Sequence, residues 1–182
     1  MRSEIIENIG NCTNDNCKCS VINEPFIEST AREVFIYDDD KEGKLQPCQL
    51  VGKDDKHQIT IINKSKKPFT FVKFDACLIN DKDKNRRCDA LVYNKRQFYF
   101  VEIKDTTVKG RKQARISAVA QLEASILRLK DLNFNGREQF AIVGFSSPRS
   151  RIINTSSGTN RVLFKEKYGV KLMEGHAIPL ES

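Results

Sequence analysis

Four short segments between residues 58 and 105 constrain the fold most, because each is dominated by β-branched and aromatic residues. Their sequences are QITIIN, FTFVKFDACLI, CDALVYN and QFYFVEIKD, and polar turns such as NKSKKP and NDKDKNRR separate them. Such residues favour extended strands, and turn-forming residues between them favour antiparallel neighbours. The segments therefore predict antiparallel strands at the centre of the chain.

Helical patterns flank these strands. Pro25, with Asn23 or Glu24 as a cap, predicts the start of a first helix, whose apolar stripe consists of Ile27, Ala31, Val34 and Phe35. The segment KGRKQARISAVAQLEASILRLKD predicts a second helix with a buried side formed by Ile116, Val119, Leu122, Ile126 and Leu129. Its opposite face is formed by Ser117, Gln121, Ser125 and Arg128. QFAIVGF then predicts a strand buried on both faces, RVLFKEKYG a short helix, and VKLMEGHAIPL a last strand.

This order of elements indicates an α/β fold with a mixed central β-sheet, an antiparallel hairpin and flanking helices. At 182 residues the chain is expected to form a single domain over residues 1–182. Residues 1–22, rich in Asn, Cys and Ser, are expected to be an irregular N-terminal segment. No apolar run is long enough to span a membrane, and MRSEIIENIG does not resemble a signal peptide, so a cytoplasmic protein is expected.

A cluster of cysteines in the N-terminal segment is a candidate metal site. Cys12, Cys17 and Cys19 lie within one predicted loop, and a fourth ligand would have to come from Cys48 or His57. Because the spacing is not the paired C-x2-C of common zinc sites, a thiol-rich surface loop is the main alternative.

The strand QFYFVEIK carries the residues of greatest chemical interest. Three other acid-x-lysine triplets in the chain lie in hydrophilic turns, whereas Glu102-Ile103-Lys104 ends an apolar strand. Strand alternation places Glu102 and Lys104 on the face of Phe98 and Phe100, with Ile103 on the other face. If the hairpin turn is Lys95-Arg96, or the four-residue loop 94–97, Asp89 lies opposite Glu102.

Two opposed carboxylates destabilise a strand pair unless a cation lies between them. Carboxylate oxygens select Mg²⁺, for which Mn²⁺ can substitute, over metals that prefer soft ligands. Such an ion lowers the pKa of a bound water and neutralises charge on a phosphate oxygen. Lys104, about 6.6 Å along the strand from Glu102, is placed to stabilise a nucleophile or a transition state. The alternative is a surface ion-pair cluster at the end of a hairpin.

A strand-borne Asp89, a gap of twelve residues and then Glu-x-Lys on the next strand resemble the PD-(D/E)XK nuclease superfamily, which includes many restriction endonucleases. The resemblance implies a restriction endonuclease-like fold, with Asp89, Glu102 and the Ile103 carbonyl as metal ligands and Lys104 as the catalytic lysine. It also implies an acid from the first helix, for which Glu33 is favoured over Glu28, and a functional role for Gln121. Cys88 departs from the pattern, because it occupies the position of the family's proline.

The distribution of positive charge supports a polyanionic partner. The net charge is +7, and the basic residues gather in two runs. The residues expected to contact a nucleic-acid backbone are Lys109, Arg111, Lys112, Arg115, Arg149 and Arg151. The resulting expectation is a Mg²⁺-dependent endonuclease acting on DNA, with a homodimer for double-strand cleavage, which requires two sites. The alternatives are a nuclease-like fold that binds nucleic acid or protein without cleavage, and a metal-binding interaction protein centred on the N-terminal cysteines.

Overall fold

The computed structural model describes residues 1–9, 25–38, 47–78, 86–107, 109–145 and 158–181. In chain order its elements are α1 (Arg2–Ile9), β1 (Phe26–Ser29), β2 (Glu33–Tyr37), β3 (Gln49–Val51), β4 (Ile59–Ile62), β5 (Phe69–Lys73), a π-helical turn (Phe74–Leu78), β6 (Ala90–Tyr93), β7 (Gln97–Lys104), α2 (Arg111–Arg128), β8 (Glu138–Phe145), α3 (Gly158–Tyr168), β9 (Lys171–Glu174) and β10 (Ala177–Pro179). The predicted α/β class is confirmed, since these elements form two mixed sheets with helices packed on one of them.

The larger sheet contains the central strands predicted from the sequence. Its six strands follow the spatial order β1-β5-β6-β7-β8-β9. Neighbours from β1 to β7 are antiparallel, whereas β7, β8 and β9 run parallel. A parallel pair needs a crossover connection, and α2 supplies it between β7 and β8. The middle of this sheet is therefore the hairpin β6-β7, on which the chemically interesting residues lie.

The smaller sheet covers one face of the larger one. Its four strands follow the order β10-β4-β2-β3, with β10 parallel to β4 and the other pairs antiparallel. Side chains of Ile36, Ile59 and Ile61 from this sheet pack in one buried cluster with Tyr99 and Val101 of β7. Burial of these apolar side chains from both sheets holds the two layers together.

The helices cover the opposite face. Phe98 and Phe100 of β7 belong to a second buried cluster, together with Ile5 of α1 and Leu122 of α2. The predicted alternation of β7 is thus confirmed: even-numbered residues face the helices and odd-numbered residues face the smaller sheet. Among the helices described, none is long and apolar enough to cross a membrane.

The prediction of a first helix is wrong. Residues 26–29 and 33–37 form β1 and β2, which pair with β5 and β4. The spacing of the apolar residues fits a helical stripe, but EVFIY is also a β-branched and aromatic run, and partner strands from both sheets decide in favour of extension.

The two ends of the chain also differ from expectation. Residues 2–9 of the segment expected to be irregular form α1, because Ile5 finds a fully buried position against the larger sheet. The rest of that segment, with Cys12, Cys17 and Cys19, lies outside the described residues. The predicted last strand is two strands, since the chain turns at Gly175 and His176 and passes from the larger sheet to the smaller one.

Helix α2 buries Leu122, Ile126 and Leu129 as predicted, but other positions differ from the prediction. Its buried residues are Ala118, Leu122, Ser125 and Ile126, whereas Ile116 is 57% exposed. Ile116 is about 200° around the helix from Ala118, which places it on the solvent side. Ser125 was predicted on the opposite face, but it can lie inward because its hydroxyl finds hydrogen-bond partners there.

Candidate metal and catalytic site

The hairpin register is as predicted. Asn94 donates its backbone N–H to the carbonyl of Gln97 at 3.0 Å, which leaves Lys95 and Arg96 as a two-residue loop. The ladder then pairs β6 with β7 in the order Tyr93–Phe98, Val92–Tyr99, Leu91–Phe100 and Ala90–Val101. The next positions outward are Asp89 and Glu102, so the alignment that brings two carboxylates together is present in the structure.

Asp89 is held by hydrogen bonds on its backbone and its side chain. Its carboxylate Oδ2 accepts the backbone N–H of Ile103 at 2.5 Å, beyond the last pair of the ladder. Its carbonyl accepts the N–H groups of Phe74 and Asp75, at 3.0 and 3.1 Å, and the Cys48 thiol at 3.4 Å. Because the π-helical turn and Cys48, the residue before β3, both contribute donors, Asp89 is fixed from two sides.

Glu102 is the least satisfied acid in the described part of the chain. Its side chain has 0% exposure, and neither carboxylate oxygen has a hydrogen bond of normal geometry. Its described partner is Lys104, whose Nζ lies 2.7 Å from Oε1 and whose side chain is 15% exposed. Burying a carboxylate with so few partners is unfavourable, so the position is one that a cation would stabilise.

Burial dominates the electrostatics of this pair. Desolvation raises the pKa of Glu102 to about 8, although Lys104 acts to lower it. Desolvation also raises the pKa of Asp89 well above its usual value, and the neighbouring Glu102 raises it further. Two mutually repelling carboxylates away from water favour either a shared proton or a bound divalent ion.

Two further acids influence the pair. Asp38, just after β2, raises the pKa of both Asp89 and Glu102 through its charge, and Asp75 raises that of Glu102. Asp75 Oδ1 also accepts a hydrogen bond from Arg87 Nε at 2.5 Å. Asp38 was not predicted as a site residue; the acidic run YDDDKE was the available signal, but a helix was expected before it.

The predicted third acid does not join the pair. Glu28 on β1 and Glu33 on β2 are both exposed, and no described contact connects either of them to Glu102. Glu33 begins β2, whereas Asp38 follows its end, roughly 16 Å farther along an extended chain. The assignment of Glu33 rested on a first helix that is absent, because a strand presents its residues in a different order.

Helix α2 supports the segment that leads into Asp89. Gln121 Nε2 donates to the carbonyl of Arg87 at 3.0 Å. Ser125 Oγ accepts the N–H of Cys88 at 2.7 Å and donates to the carbonyl of Gln121 at 3.0 Å. Gln121 is therefore next to the site, as predicted; its amide donates to the backbone before Asp89, and its Oε1 accepts a hydrogen bond from Ser117 Oγ at 3.4 Å.

We expect Ser125→Ala to destabilise the protein by about 1–3 kcal/mol, because the buried N–H of Cys88 would lose its acceptor. Ser117→Ala removes a hydroxyl from the same helix at a half-buried position, where it makes only a long hydrogen bond of 3.4 Å to the Gln121 side chain. It leaves no buried backbone group without an acceptor and is the matched control, with an expected change within about 0.5 kcal/mol. Urea unfolding of both variants measures the difference. Equal stabilities of the two variants would contradict the assigned role of Ser125.

The predicted basic residues divide into different environments. Lys109 and Lys112 are exposed beside the start of α2. Arg115 is engaged within the protein instead, because its Nε and Nη2 donate to the two carboxylate oxygens of Glu174 at 2.7 and 2.9 Å. Arg111 lies over the ring of Phe145, with its Cζ 5.3 Å from the ring centroid. Arg149 and Arg151 fall outside the described ranges.

The candidate N-terminal cysteine site stays a prediction, because Cys12, Cys17 and Cys19 lie outside the described residues. Cys48 is buried and hydrogen-bonded to the carbonyl of Asp89, while His57 Nδ1 lies 2.9 Å from the carbonyl of Asp55 and its ring packs against Phe35. Within the described ranges, no group of three or more His, Cys, Asp or Glu side chains is arranged to hold a metal ion. Any metal held by Asp89 and Glu102 would therefore need main-chain or water ligands as well, which Mg²⁺ accepts.

A groove of about 420 Å³ lies close to the carboxylate pair, between α2 and α3. Val143 and Glu174 form part of its lining and are the in-register neighbours of Glu102 on β8 and β9. Exposed Ile116 and Leu163 flank it. The groove therefore lies on the same sheet face as Glu102 and one strand away from it.

The chemistry of the site fits a hard divalent cation. Asp89, immediately before β6, and Glu102, on β7, supply the carboxylates, and Glu102 Oε2 is a buried oxygen without a described partner. The Ile103 backbone is adjacent, since its N–H binds Asp89, and its carbonyl remains a predicted ligand. No family model, curated protein or solved structure matches this chain, so its function has to be inferred from the carboxylate pair itself.

Proposed function

We propose that this chain is a Mg²⁺-dependent nuclease that hydrolyses phosphodiester bonds of DNA, with a restriction endonuclease-like fold of the PD-(D/E)XK type. The observation that carries this proposal is the fully buried carboxylate of Glu102, which has Lys104 as its described ion-pair partner and Asp89 on the adjacent strand. A structural role alone does not explain this arrangement, because an apolar residue at position 102 would be more stable there.

The order of strands around the pair supports the family proposal. Strands β5, β6 and β7 form an antiparallel meander, and α2 then crosses to β8, which runs parallel to β7. Asp89 lies immediately before β6, and Glu102 and Lys104 lie at the end of β7. These positions of Asp89, the triplet that ends in Lys104 and Gln121 support the proposed family.

Each residue has a distinct part in the proposed hydrolysis. When bound, Mg²⁺ would supply an acidified water and neutralise charge on the phosphate. Asp89 and Glu102 hold their carboxylates in place for it, since the N–H of Ile103 orients the first and the Lys104 ammonium the second. Lys104 keeps a positive charge beside Glu102, where it can stabilise the negative charge that develops on the phosphoryl oxygens.

The basic start of α2 supports nucleic acid as the substrate. Lys109 and Lys112 are exposed on the chain that leaves β7 just after Lys104, so they lie close to the proposed site. Exposed lysines attract the phosphate backbone of a nucleic acid regardless of its sequence. Cleavage of both strands would require two copies of the site, so the proposal includes a homodimer for double-strand cutting.

Plasmid cleavage tests this proposal. Wild-type protein is expected to nick or linearise DNA with Mg²⁺ or Mn²⁺ and to be inactive with EDTA. Lys104→Ala is expected to reduce the rate at least about a hundredfold, because it removes a charge aimed at the transition state. Lys95→Ala, in the exposed hairpin loop, removes the same charge elsewhere and is the matched control.

Equal cleavage by wild type and Lys104→Ala would reject the assigned site. Failure of the wild-type protein to cleave any of several DNA and RNA substrates would reject the nuclease function. Binding of nucleic acid without cleavage in that experiment would instead identify a binding module.

A further inference from the structure

Arg111, the first residue of α2, is half-buried, and two of its guanidinium nitrogens have no hydrogen-bond acceptor among the described residues. These two nitrogens, Nε and Nη2, are shielded from solvent. A guanidinium presents its donors in a planar fork that matches carboxylate and phosphate oxygens. Desolvating these donors without an acceptor is unfavourable, so the position is built for an anion that the protein itself does not provide.

The location of Arg111 connects it with the proposed active site. Its guanidinium packs on Phe145, which lies opposite Lys104 in the parallel register of β7 and β8. In-register residues of parallel strands project to the same face, and neighbouring strands are about 4.8 Å apart. Arg111 is therefore on the helix-covered side of the sheet, near Lys104 and Glu102.

The start of α2 favours a negative charge for a second reason. The helix has 18 residues, its N-cap Gly110 makes no side-chain capping hydrogen bond, and no acidic residue occurs in the first turn. The free N–H groups and the positive end of the helix dipole are instead flanked by Lys109 and Lys112. Basic residues there oppose the dipole, so the arrangement becomes favourable when an anion is bound.

Gly110 indicates that this helix start is closely packed. A Cβ at this position would lie 2.4 Å from Thr106 Oγ1, so a side chain here would displace the threonine. Glycine at the N-cap thus lets the connection from β7 fold tightly onto the start of the helix. The first-turn N–H groups and Arg111 are held on the same short connection as Lys104.

We infer that Arg111 and the N-terminus of α2 form a phosphate-binding site, which in the proposed nuclease holds a backbone phosphate of the nucleic acid next to the one that is cleaved. The identity of that phosphate rests on the proposed function, whereas the anion site rests on Arg111 itself. Lys109 and Lys112 differ from it, because exposed lysines attract phosphate through charge without a fixed geometry.

Inorganic phosphate, added in the presence of EDTA, tests the site without any cleavage. At about ten times its Kd, phosphate is expected to raise the Tm of the wild-type protein by about 3–6 °C above chloride of equal ionic strength. Arg111→Gln should abolish this shift and Arg111→Lys should reduce it, because lysine lacks the planar fork. Lys130→Gln, which removes a charge at an exposed position just beyond the other end of α2, is the matched control and should retain the shift.

The DNA arm uses anisotropy of a labelled oligonucleotide in EDTA. Arg111→Gln is expected to weaken binding roughly tenfold or more, and Lys112→Gln only a few-fold. A neutral methylphosphonate can replace one phosphate at a time along the oligonucleotide. At one position this replacement should weaken binding by the wild-type protein and leave binding by Arg111→Gln unchanged.

The possible outcomes separate the two proposals. If phosphate shifts wild type and Arg111→Gln equally, the anion site is rejected, whatever the cleavage assays show. If the phosphate shift depends on Arg111 but no methylphosphonate position distinguishes the two proteins, the assignment to a nucleic-acid phosphate is overturned. If the site behaves as expected but no substrate is cleaved, the nuclease function fails and the phosphate site stands.

Discussion

Glu102→Gln is expected to abolish metal-dependent cleavage and at the same time to stabilise the metal-free protein at neutral pH. The carboxylate has 0% exposure and a pKa raised to about 8, so folding at pH 7 requires it to take up a proton or to remain charged away from water. Glutamine has nearly the same shape but is neutral, so its burial requires neither the uptake of a proton nor a charge away from water. The expected gain is on the order of 2 kcal/mol, or roughly 4–8 °C in Tm.

Loss of cleavage follows from the same substitution, because an amide is a neutral and weaker ligand than a carboxylate for Mg²⁺. The rate should fall at least about a hundredfold. A gain in stability together with a loss of activity marks a residue that is retained for function at the expense of stability.

Glu33→Gln is the matched control for this result, since it makes the same chemical change at an exposed position of the smaller sheet. Both its stability, measured by thermal unfolding, and its cleavage rate should stay close to those of wild type. If Glu102→Gln lowers the Tm in EDTA, the description of Glu102 as an unsatisfied buried acid is wrong. If Glu33→Gln loses activity as Glu102→Gln does, the third acid predicted from the sequence belongs to the site after all.

The second large effect is an unusual pH dependence of the metal-free protein. For Glu102 the folded pKa of about 8 exceeds the ordinary value of 4.5, so the folded state binds more protons than the unfolded state between these values. Its contribution to stability is therefore fully present below about pH 4.5 and is lost as the pH rises through about 8. Asp89, whose pKa is also raised, acts in the same direction.

Divalent metal should reverse this trend. A cation at the pair replaces the proton, so saturating Mg²⁺ or Mn²⁺ is expected to raise the Tm most at the alkaline end of the range and least at the acidic end. Thermal unfolding between about pH 5 and pH 8.5, with EDTA or with metal, measures both trends. Glu102→Gln should show a flatter profile in EDTA and a smaller response to metal.

A metal response that is the same in wild type and in Glu102→Gln would place the ion elsewhere. A wild-type stability in EDTA that rises steadily from acid to alkaline pH would show that Glu102 and Asp89 do not dominate the titration. Either result would remove the physical basis for a cation between these two strands.

The hairpin was predictable because its determinants are local. A two-residue loop sets the register of an antiparallel pair, and the alternation of side chains along a strand follows from backbone geometry. The apolar run around Glu102 therefore located β7, and Asp89 followed as its partner from the loop length alone. Strand β8 was equally clear, since nearly every residue from 140 to 145 is apolar and is buried in the structure.

The segment 26–37 was not predictable in the same way. Its apolar residues fit both a helical stripe and a pair of strands, and the choice depends on partners in β4 and β5. The orientation of α2 was decided similarly, because Ser125 turns inward only where Cys88 offers an N–H. Arg115 belonged to a basic run in the sequence, yet Glu174, 59 residues away, is its partner.

For the carboxylate pair, the sequence by itself determined the chemistry and the register: two acids and a lysine on adjacent strands, with Asp89 opposite Glu102. Only the tertiary structure decided how those groups are solvated. It buried Glu102 completely, placed the charges of Asp38 and Asp75 near it and, within the part of the chain that the structure describes, left Nε and Nη2 of Arg111 without an acceptor. The physical reason is that register depends on neighbours along the chain, whereas desolvation and charge depend on segments that meet only when both sheets and the helices pack.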